Sequence, residues 1–200
     1  MPVRKQSLFP SAARTLDERG RCATKLSMKK RHVLILAVLL LLFPALGVFA
    51  ADYDPLLPLL VDLPGWQAEP ADGADASVSG VRAVTAFRTY ESGERRFEVN
   101  ILIGMQAGLT WTPDYQEGFK METPEGLMEV KKIGGFLVFY TFAREDNSGG
   151  IFVQLLYSAD KPESGAVLAI SFAGLPLEEA LKTAQSFSWA KMKEQATKLK

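Results

Sequence analysis

One uncharged stretch constrains this chain more than any other feature. Nineteen residues without a charged side chain, from Val33 to Ala51, follow directly after the basic residues Lys29, Lys30 and Arg31 and the single histidine, His32. A basic start, a leucine-rich apolar core and small residues at the end are the three parts of a secretory signal peptide. The sequence therefore predicts a signal peptide over residues 28–50.

The end of this stretch carries a cleavage pattern. Val48 and Ala50 are small residues spaced as a signal peptidase requires, and Asp52 begins the acidic chain that follows. We predict cleavage between Ala50 and Ala51. The alternative is that residues 33–51 are retained as a membrane span, since eighteen or more apolar residues can cross a bilayer.

Both alternatives give the same compartment. Basic residues flank the stretch only on its N-terminal side, which keeps that side in the cytoplasm. Residues 51–200 are then exported to the periplasm or cell envelope, and they stay anchored in the inner membrane only if the stretch is retained. Residues 1–27 are an N-terminal extension, which we interpret either as an over-long start before Met28 or as a long cytoplasmic part of the signal peptide.

The charge is unevenly distributed. Residues 1–50 hold 9 Lys and Arg against 2 Asp and Glu, whereas residues 51–200 hold 14 against 21, a net charge of −7. An acidic domain lacks the basic surface that nucleic acids and anionic lipids require. We therefore expect no nucleic-acid partner, and membrane contact only through residues 33–51 if they are uncleaved.

Several chemistries are excluded by composition. The only histidine, His32, and the only cysteine, Cys22, both precede Ala51. The exported part thus has no Ser-His-Asp or Cys-His nucleophile and no Cys/His metal site. Carboxylates are plentiful, but no spacing pairs them as acid and base. The sequence predicts no catalytic residue, no metal and no cofactor.

Residues 81–190 have the pattern of a sheet followed by a helix. Alternating apolar residues predict a hairpin over 80–104, a weaker strand at Gly126–Ile133, and strands at Gly135–Ala143, Gly150–Ala159 and Gly165–Gly174. Pro176 opens a helix with an apolar stripe at three- and four-residue spacing. The "DGAD" segment, Asp72–Asp75, and the "REDNSGG" segment, Arg144–Gly150, are predicted to be turns.

These elements define the expected fold class and organisation. We predict an α+β domain in which an antiparallel meander of five to six strands is packed by a C-terminal helix and a short middle helix. A loop-rich entry segment, 51–80, precedes the domain, and a solvated basic tail, 191–200, follows it. In element order, roughly residues 60–190 resemble the PsbP-like exported α+β proteins; the resemblance is one of architecture, implies no ligand and carries no residue motif.

The candidate binding residues are aromatic. In "GLTWTPDYQEGFKMETPEG", Gly108–Gly126, Thr112 and Pro113 can start a short helix on which Trp111, Tyr115 and Phe119 share one face. Such rings could grip a ligand or partner. The other interpretation is that they cover the sheet, which is the commoner role of an apolar helix face.

These observations together lead to a functional prediction. We predict an exported, non-enzymatic domain that binds a protein partner or a small ligand, neither of which the sequence identifies. The alternatives are a membrane-tethered domain with a retained span, and a hydrolase working through carboxylates or a Ser/Lys pair.

Overall fold

The computed structural model describes residues 51–78, 81–110, 116–157, 161 and 164–199. Residues 1–50, with the predicted signal segment and Ala50, lie outside this range. In the described residues nine strands form a single antiparallel sheet. The strands are β1 (Gln67–Ala68), β2 (Asp72–Val78), β3 (Val81–Ser92), β4 (Arg95–Gly104), β5 (Lys120–Glu122), β6 (Gly126–Ile133), β7 (Phe136–Ala143), β8 (Ser148–Leu156) and β9 (Ala166–Ala173).

The strand order is β1-β3-β4-β9-β8-β7-β6-β5, and β2 pairs with β3 beside β1. The strands from β5 to β9 form a meander, and β9 then pairs with β4. One edge of the sheet is therefore β5, and the other consists of β1 and β2 in succession along β3. The predicted α+β class with an antiparallel sheet is confirmed.

The helices are α1 (Met105–Thr110), α2 (Leu177–Ala184) and α3 (Trp189–Leu199), and a 3-10 turn spans Asp54–Leu59. The 3-10 turn, α2 and α3 cover one side of the sheet, which we call the helical face. The main core lies there because alternate residues of the strands point into it, as the buried Phe97, Val99 and Ile101 on β4 show.

The C-terminal helices are fixed to this core by aromatic residues. Trp189 donates its indole N–H to the Ala184 carbonyl oxygen over 2.9 Å, so that the start of α3 is held against the end of α2. Phe187, between the two helices, stacks on Phe97 with ring centroids 6.5 Å apart. Met192 is fully buried on α3.

The other side of the sheet, which we call the open face, carries a smaller apolar cluster. Ala107 of α1 packs in it with Val130, Phe139 and Val167, and Phe139 stacks on Phe152. β7 thus contributes to both clusters, as expected for a central strand that is apolar on both faces.

Three parts of the prediction were wrong. The sheet has more strands than five to six, because β1, β2 and β5 are short or polar and lack the apolar alternation on which the prediction relied. Asp72–Asp75, predicted as a turn, lies within β2. The residues after Lys191, expected as a solvated tail, continue helix α3 and bury Met192 and Ala196.

A short helix, α1, spans Met105–Thr110. The predicted middle helix, with its start at Thr112 and Pro113, lies mostly outside the described residues. Phe119 is not helical, since it lies in a turn that leads into β5. In the described part of the chain, no helix is long and apolar enough to cross a membrane.

Candidate ligand-binding cleft

The three predicted binding residues are only partly placed. Trp111 and Tyr115 lie outside the described residues, and Phe119 is 42% exposed. Gly118, with φ of +90°, donates its N–H to the Val130 carbonyl oxygen over 3.0 Å, and the Val130 N–H donates to the Phe119 oxygen over 2.8 Å. Gly118 and Phe119 are thus together opposite the single residue Val130, and a bulge of this kind with glycine in the first position is a G1 β-bulge. The bulge sets Phe119 at the entrance to the edge strand β5.

Two methionines follow the bulge on the open face. Met121 of β5 is directly opposite Met128 of β6, and Met128 is opposite Thr141 of β7. Met121 is 49% exposed although it is a large apolar residue. Methionine is common at binding surfaces because its unbranched thioether adapts to different shapes.

These residues line a cleft of about 470 Å³ between the β5–β6 turn and the β7–β8 turn. Its volume falls in the range of small-molecule sites, roughly 300–1,000 Å³. The lining is mainly apolar with a few polar groups, which is also usual for such sites. The lining residues are Met121, Thr123, Glu125, Gly126, Leu127, Met128, Thr141, Phe142, Ala143, Ser148 and Gly149.

Two glycines keep this end of the sheet narrow. A side chain at Gly126 would overlap the carbonyl oxygen of Phe142, and one at Gly149 would overlap the carbonyl oxygen of Thr141. Both positions therefore require glycine because neighbouring backbone approaches too closely for a Cβ atom. Part of the cleft wall is bare main chain as a result.

The polar groups of the cleft are largely occupied. The Ser148 hydroxyl donates to Asp146, and a hydrogen bond from Thr123 holds the pKa of Glu125 below its usual range, so Glu125 is ionised at neutral pH. Thr141 accepts the Gly150 N–H over 3.2 Å. Because the Thr141 oxygen acts as an acceptor in this bond, its hydroxyl hydrogen can still be donated to a ligand.

Charged side chains form the outer rim of the cleft. Glu122 lies 2.9 Å from the Lys120 ammonium and 2.6 Å from the Arg144 guanidinium. The hydrogen bond between Lys120 and Glu122 raises the pKa of the lysine and lowers that of the carboxyl. The Arg144 N–H also donates to the Glu125 carbonyl oxygen over 2.9 Å. These bonds tie the two turns together.

On the helical face behind the cleft, Tyr140 donates its hydroxyl to the Glu129 carboxylate. Burial, reinforced by Glu129, raises the pKa of Tyr140, and the Lys131 ammonium lies 5.1 Å from its ring centroid. A phenol held neutral in this way is a poor proton donor for catalysis. We therefore interpret Tyr140, Glu129 and Lys131 as a group that contributes packing and hydrogen bonding.

A second cleft of about 480 Å³ lies at the opposite ends of β6, β7 and β8. Its walls carry Lys132 and Lys193 beside Phe136 and the exposed Tyr157. Lys132 is paired with Glu117 at 2.7 Å, and the more polar lining makes this cleft the weaker candidate for an apolar ligand.

The cleft has only a weak signature in the sequence. Met121 and Met128 are placed symmetrically about the turn that contains Thr123 and Gly126, and this symmetry is the sequence pattern that could have indicated the β5–β6 hairpin. In the ranges that the structure describes, no group of three or more His, Cys, Asp or Glu could hold a metal ion. No family model matches the chain, and no similarity was found with curated proteins or with solved structures.

Proposed function

We propose that residues 51–200 are an exported, non-enzymatic domain of the periplasm or cell envelope that binds a small, mainly apolar ligand in the cleft beside β5. The proposal of a small apolar ligand is supported by the cleft itself. It is a methionine-lined cavity of ligand size, and Glu125 is the single charged residue in its wall. The likeness to PsbP-like exported domains is part of the same proposal and concerns architecture alone.

Export is supported by the signal-peptide pattern of residues 28–50. Ala51 accepts a hydrogen bond from the Asp54 N–H over 3.0 Å, and Asp52 is paired with Arg82. A cut before Ala51 would therefore leave these contacts with the domain.

The experiment for export is intact mass measurement of the protein in a cell-envelope fraction. A chain that starts at Ala51 supports cleavage, and a full-length chain in the membrane fraction supports the tethered alternative. Recovery of the protein only from the cytosol would refute both. A screen with generic esterase, glycosidase and phosphatase substrates tests the hydrolase alternative, and robust turnover would overturn the non-enzymatic assignment.

The charges of the cleft indicate which ligands fit. Ionised Glu125 disfavours anions, and the Thr141 hydroxyl can donate one hydrogen bond. We therefore propose a neutral, mainly apolar molecule with a hydrogen-bond acceptor oxygen. A linear alcohol fits this description better than the carboxylate of equal chain length.

The ligand experiment is displacement of the neutral dye Nile red by 1-decanol and by decanoate. We expect decanol to displace the dye more strongly. Met121→Lys should weaken dye binding about tenfold, since an ammonium group would then stand in an apolar site. Met105→Lys is the matched control, because Met105 is similarly exposed (43%) but lies on α1 outside the cleft. Equal effects of the two variants would refute the site.

A protein partner is the second candidate function, and the sheet edges favour β2 as its site. The β5 edge is three residues long, bulged and flanked by charges, all devices that prevent strand addition. β2 has seven residues, exposed from Ala74 to Ser77, with neither lysine nor proline. An extended partner segment could add a strand there.

The charges on β2 point to a basic partner. Asp72 and Asp75 lie on opposite faces of this strand. In antiparallel self-pairing of β2 in full register, Asp75 would face Asp75 of a second copy, and like charges directly opposite are destabilising. A partner strand with Lys or Arg at alternate positions would complement Asp75.

This candidate is tested with two extended peptides, in which threonine or valine alternates with lysine in one and with glutamate in the other. We expect amide shifts along β2 with the lysine peptide alone, and the opposite preference in the Asp72→Lys/Asp75→Lys variant. Indifference to the charge reversal, or a dimer in sedimentation, would refute a basic partner at this edge.

A further inference from the structure

The start of the folded domain contains an unusual arrangement of charge. The Ala51 N–H donates to the Asp54 carboxylate over 2.9 Å, while the Asp54 N–H donates back to the Ala51 carbonyl oxygen. The next residue, Asp52, is paired with Arg82 of β3, whose guanidinium also donates to the Leu199 carbonyl oxygen over 3.1 Å. One arginine thus joins the two ends of the domain.

We propose that Asp54 is the binding site for the α-ammonium group that is created when the chain is cut before Ala51. Hydrolysis of the Ala50–Ala51 peptide bond leaves the new carboxylate on Ala50 with the released segment. The Ala51 nitrogen gains protons and becomes a cation at neutral pH. Since that nitrogen already lies 2.9 Å from the Asp54 carboxylate, the cut converts a hydrogen bond into an ion pair.

The surrounding charges favour an added cation. Besides Asp54, the neighbourhood contains Asp52 on the same segment and Arg82 on β3. Ser77 of β2 is directly opposite Arg82 of β3, and Asp75 lies two residues before Ser77. Asp75 and Arg82 are therefore on the same face of the sheet. Among the described residues Asp52 is paired with Arg82, whereas no ion pair of Asp54 is found, so an ammonium at Ala51 would supply a cation for Asp54.

The hydrogen bond from Ala51 to Asp54 could also serve only to cap the 3-10 turn, without any role in binding an ammonium group. In an uncut chain it satisfies a free N–H at the start of the 3-10 turn, as a capping carboxylate does at a helix start. Capping and ammonium binding predict the same geometry. They differ in charge, because a capped amide does not titrate and an α-amino group does, with a usual pKa of about 7.7–8.0.

The inference rests on the proposed cleavage site, but its test does not depend on export. A fusion protein is cut in vitro so that the chain begins at Ala51, and the α-amino pKa is measured by NMR titration. We expect a pKa about 0.5 to 1 higher than in the Asp54→Asn variant, since an opposite charge within hydrogen-bond distance favours the ammonium. Glu91→Gln, a loss of an exposed carboxylate at the far end of β3, is the control and should leave the pKa unchanged.

A stability measurement gives the second readout. A pKa raised by folding contributes stability that is fully present below about pH 8 and is lost as pH rises through the folded value. The chain that begins at Ala51 should therefore lose more stability between about pH 8 and 10 than its N-acetylated form does. Equal α-amino pKa values in wild type and Asp54→Asn would overturn the inference, whatever N-terminus the envelope protein has. A different natural N-terminus would refute the cleavage site alone.

Discussion

The segment that enters the domain offers the sharpest test of the fold. Leu56, in the entry segment 51–80, is 0% exposed and lies in the main core with Leu60 and Leu63. Arg88 of β3 holds the same segment, donating to the Leu60 carbonyl oxygen over 2.6 Å and to the Asp62 carboxylate over 2.7 Å. These contacts predict that the entry segment unfolds together with the sheet.

Leu56→Ala should therefore lower the free energy of unfolding by about 3–5 kcal/mol, the upper part of the range for a fully buried leucine. With a urea dependence of about 2 kcal/mol per molar, the unfolding midpoint falls by roughly 1.5–2.5 M. Val61→Ala is the control in the same segment, since Val61 is 42% exposed, and it should cost less than about 1 kcal/mol. If Leu56→Ala unfolds within 1 kcal/mol of wild type at unchanged slope, the segment is not part of the cooperative core.

Three further predictions concern single residues. Tyr90→Phe removes the 2.9 Å hydrogen bond to the Val61 carbonyl oxygen and should cost about 1 kcal/mol in urea unfolding; because burial raises the pKa of Tyr90 to about 12, wild type should also lose more stability than this variant between pH 10 and 12. Gly118→Ala should cost about 1–2 kcal/mol through backbone strain alone, since its φ is +90° and no atom lies within 4 Å of the added Cβ, and a neutral result would contradict the bulge. Glu125→Gln should strengthen decanoate binding relative to decanol, measured by dye displacement, and an unchanged ratio would show that Glu125 does not select against anions.

The strands that the sequence predicted share one property. β4, β7 and β9 have apolar residues at the alternation or density that burial requires, and they form the middle of the sheet. Helix α2 could also be predicted from the sequence, since Ala180 and Ala184 are buried at the expected spacing. Central elements bury enough apolar surface for their own sequence to reveal them.

The elements that were missed lie where tertiary contacts outweigh local pattern. β2 is an edge strand whose Asp and Gly residues are typical of turns, and pairing with β3 decides its conformation. Helix α3 is rich in lysine, but Trp189, Met192 and Ala196 are enough to bury one side of it. The cleft depends on where Gly126 and Gly149 meet the β7 backbone, and no local spacing encodes that approach.

The two ends of the domain depend on each other. Leu56, near the start, and Trp189 and Met192, near the end, lie in the same core, and Arg82 joins Asp52 to the Leu199 carbonyl oxygen. The core therefore cannot be completed until the last helix is present, because removing α3 would expose the apolar residues that it covers. A chain that crosses a membrane N-terminus first would then remain incompletely folded until its final residues emerge. Such a late-closing fold suits the proposed export, since the same contacts that stabilise the finished domain are missing during passage.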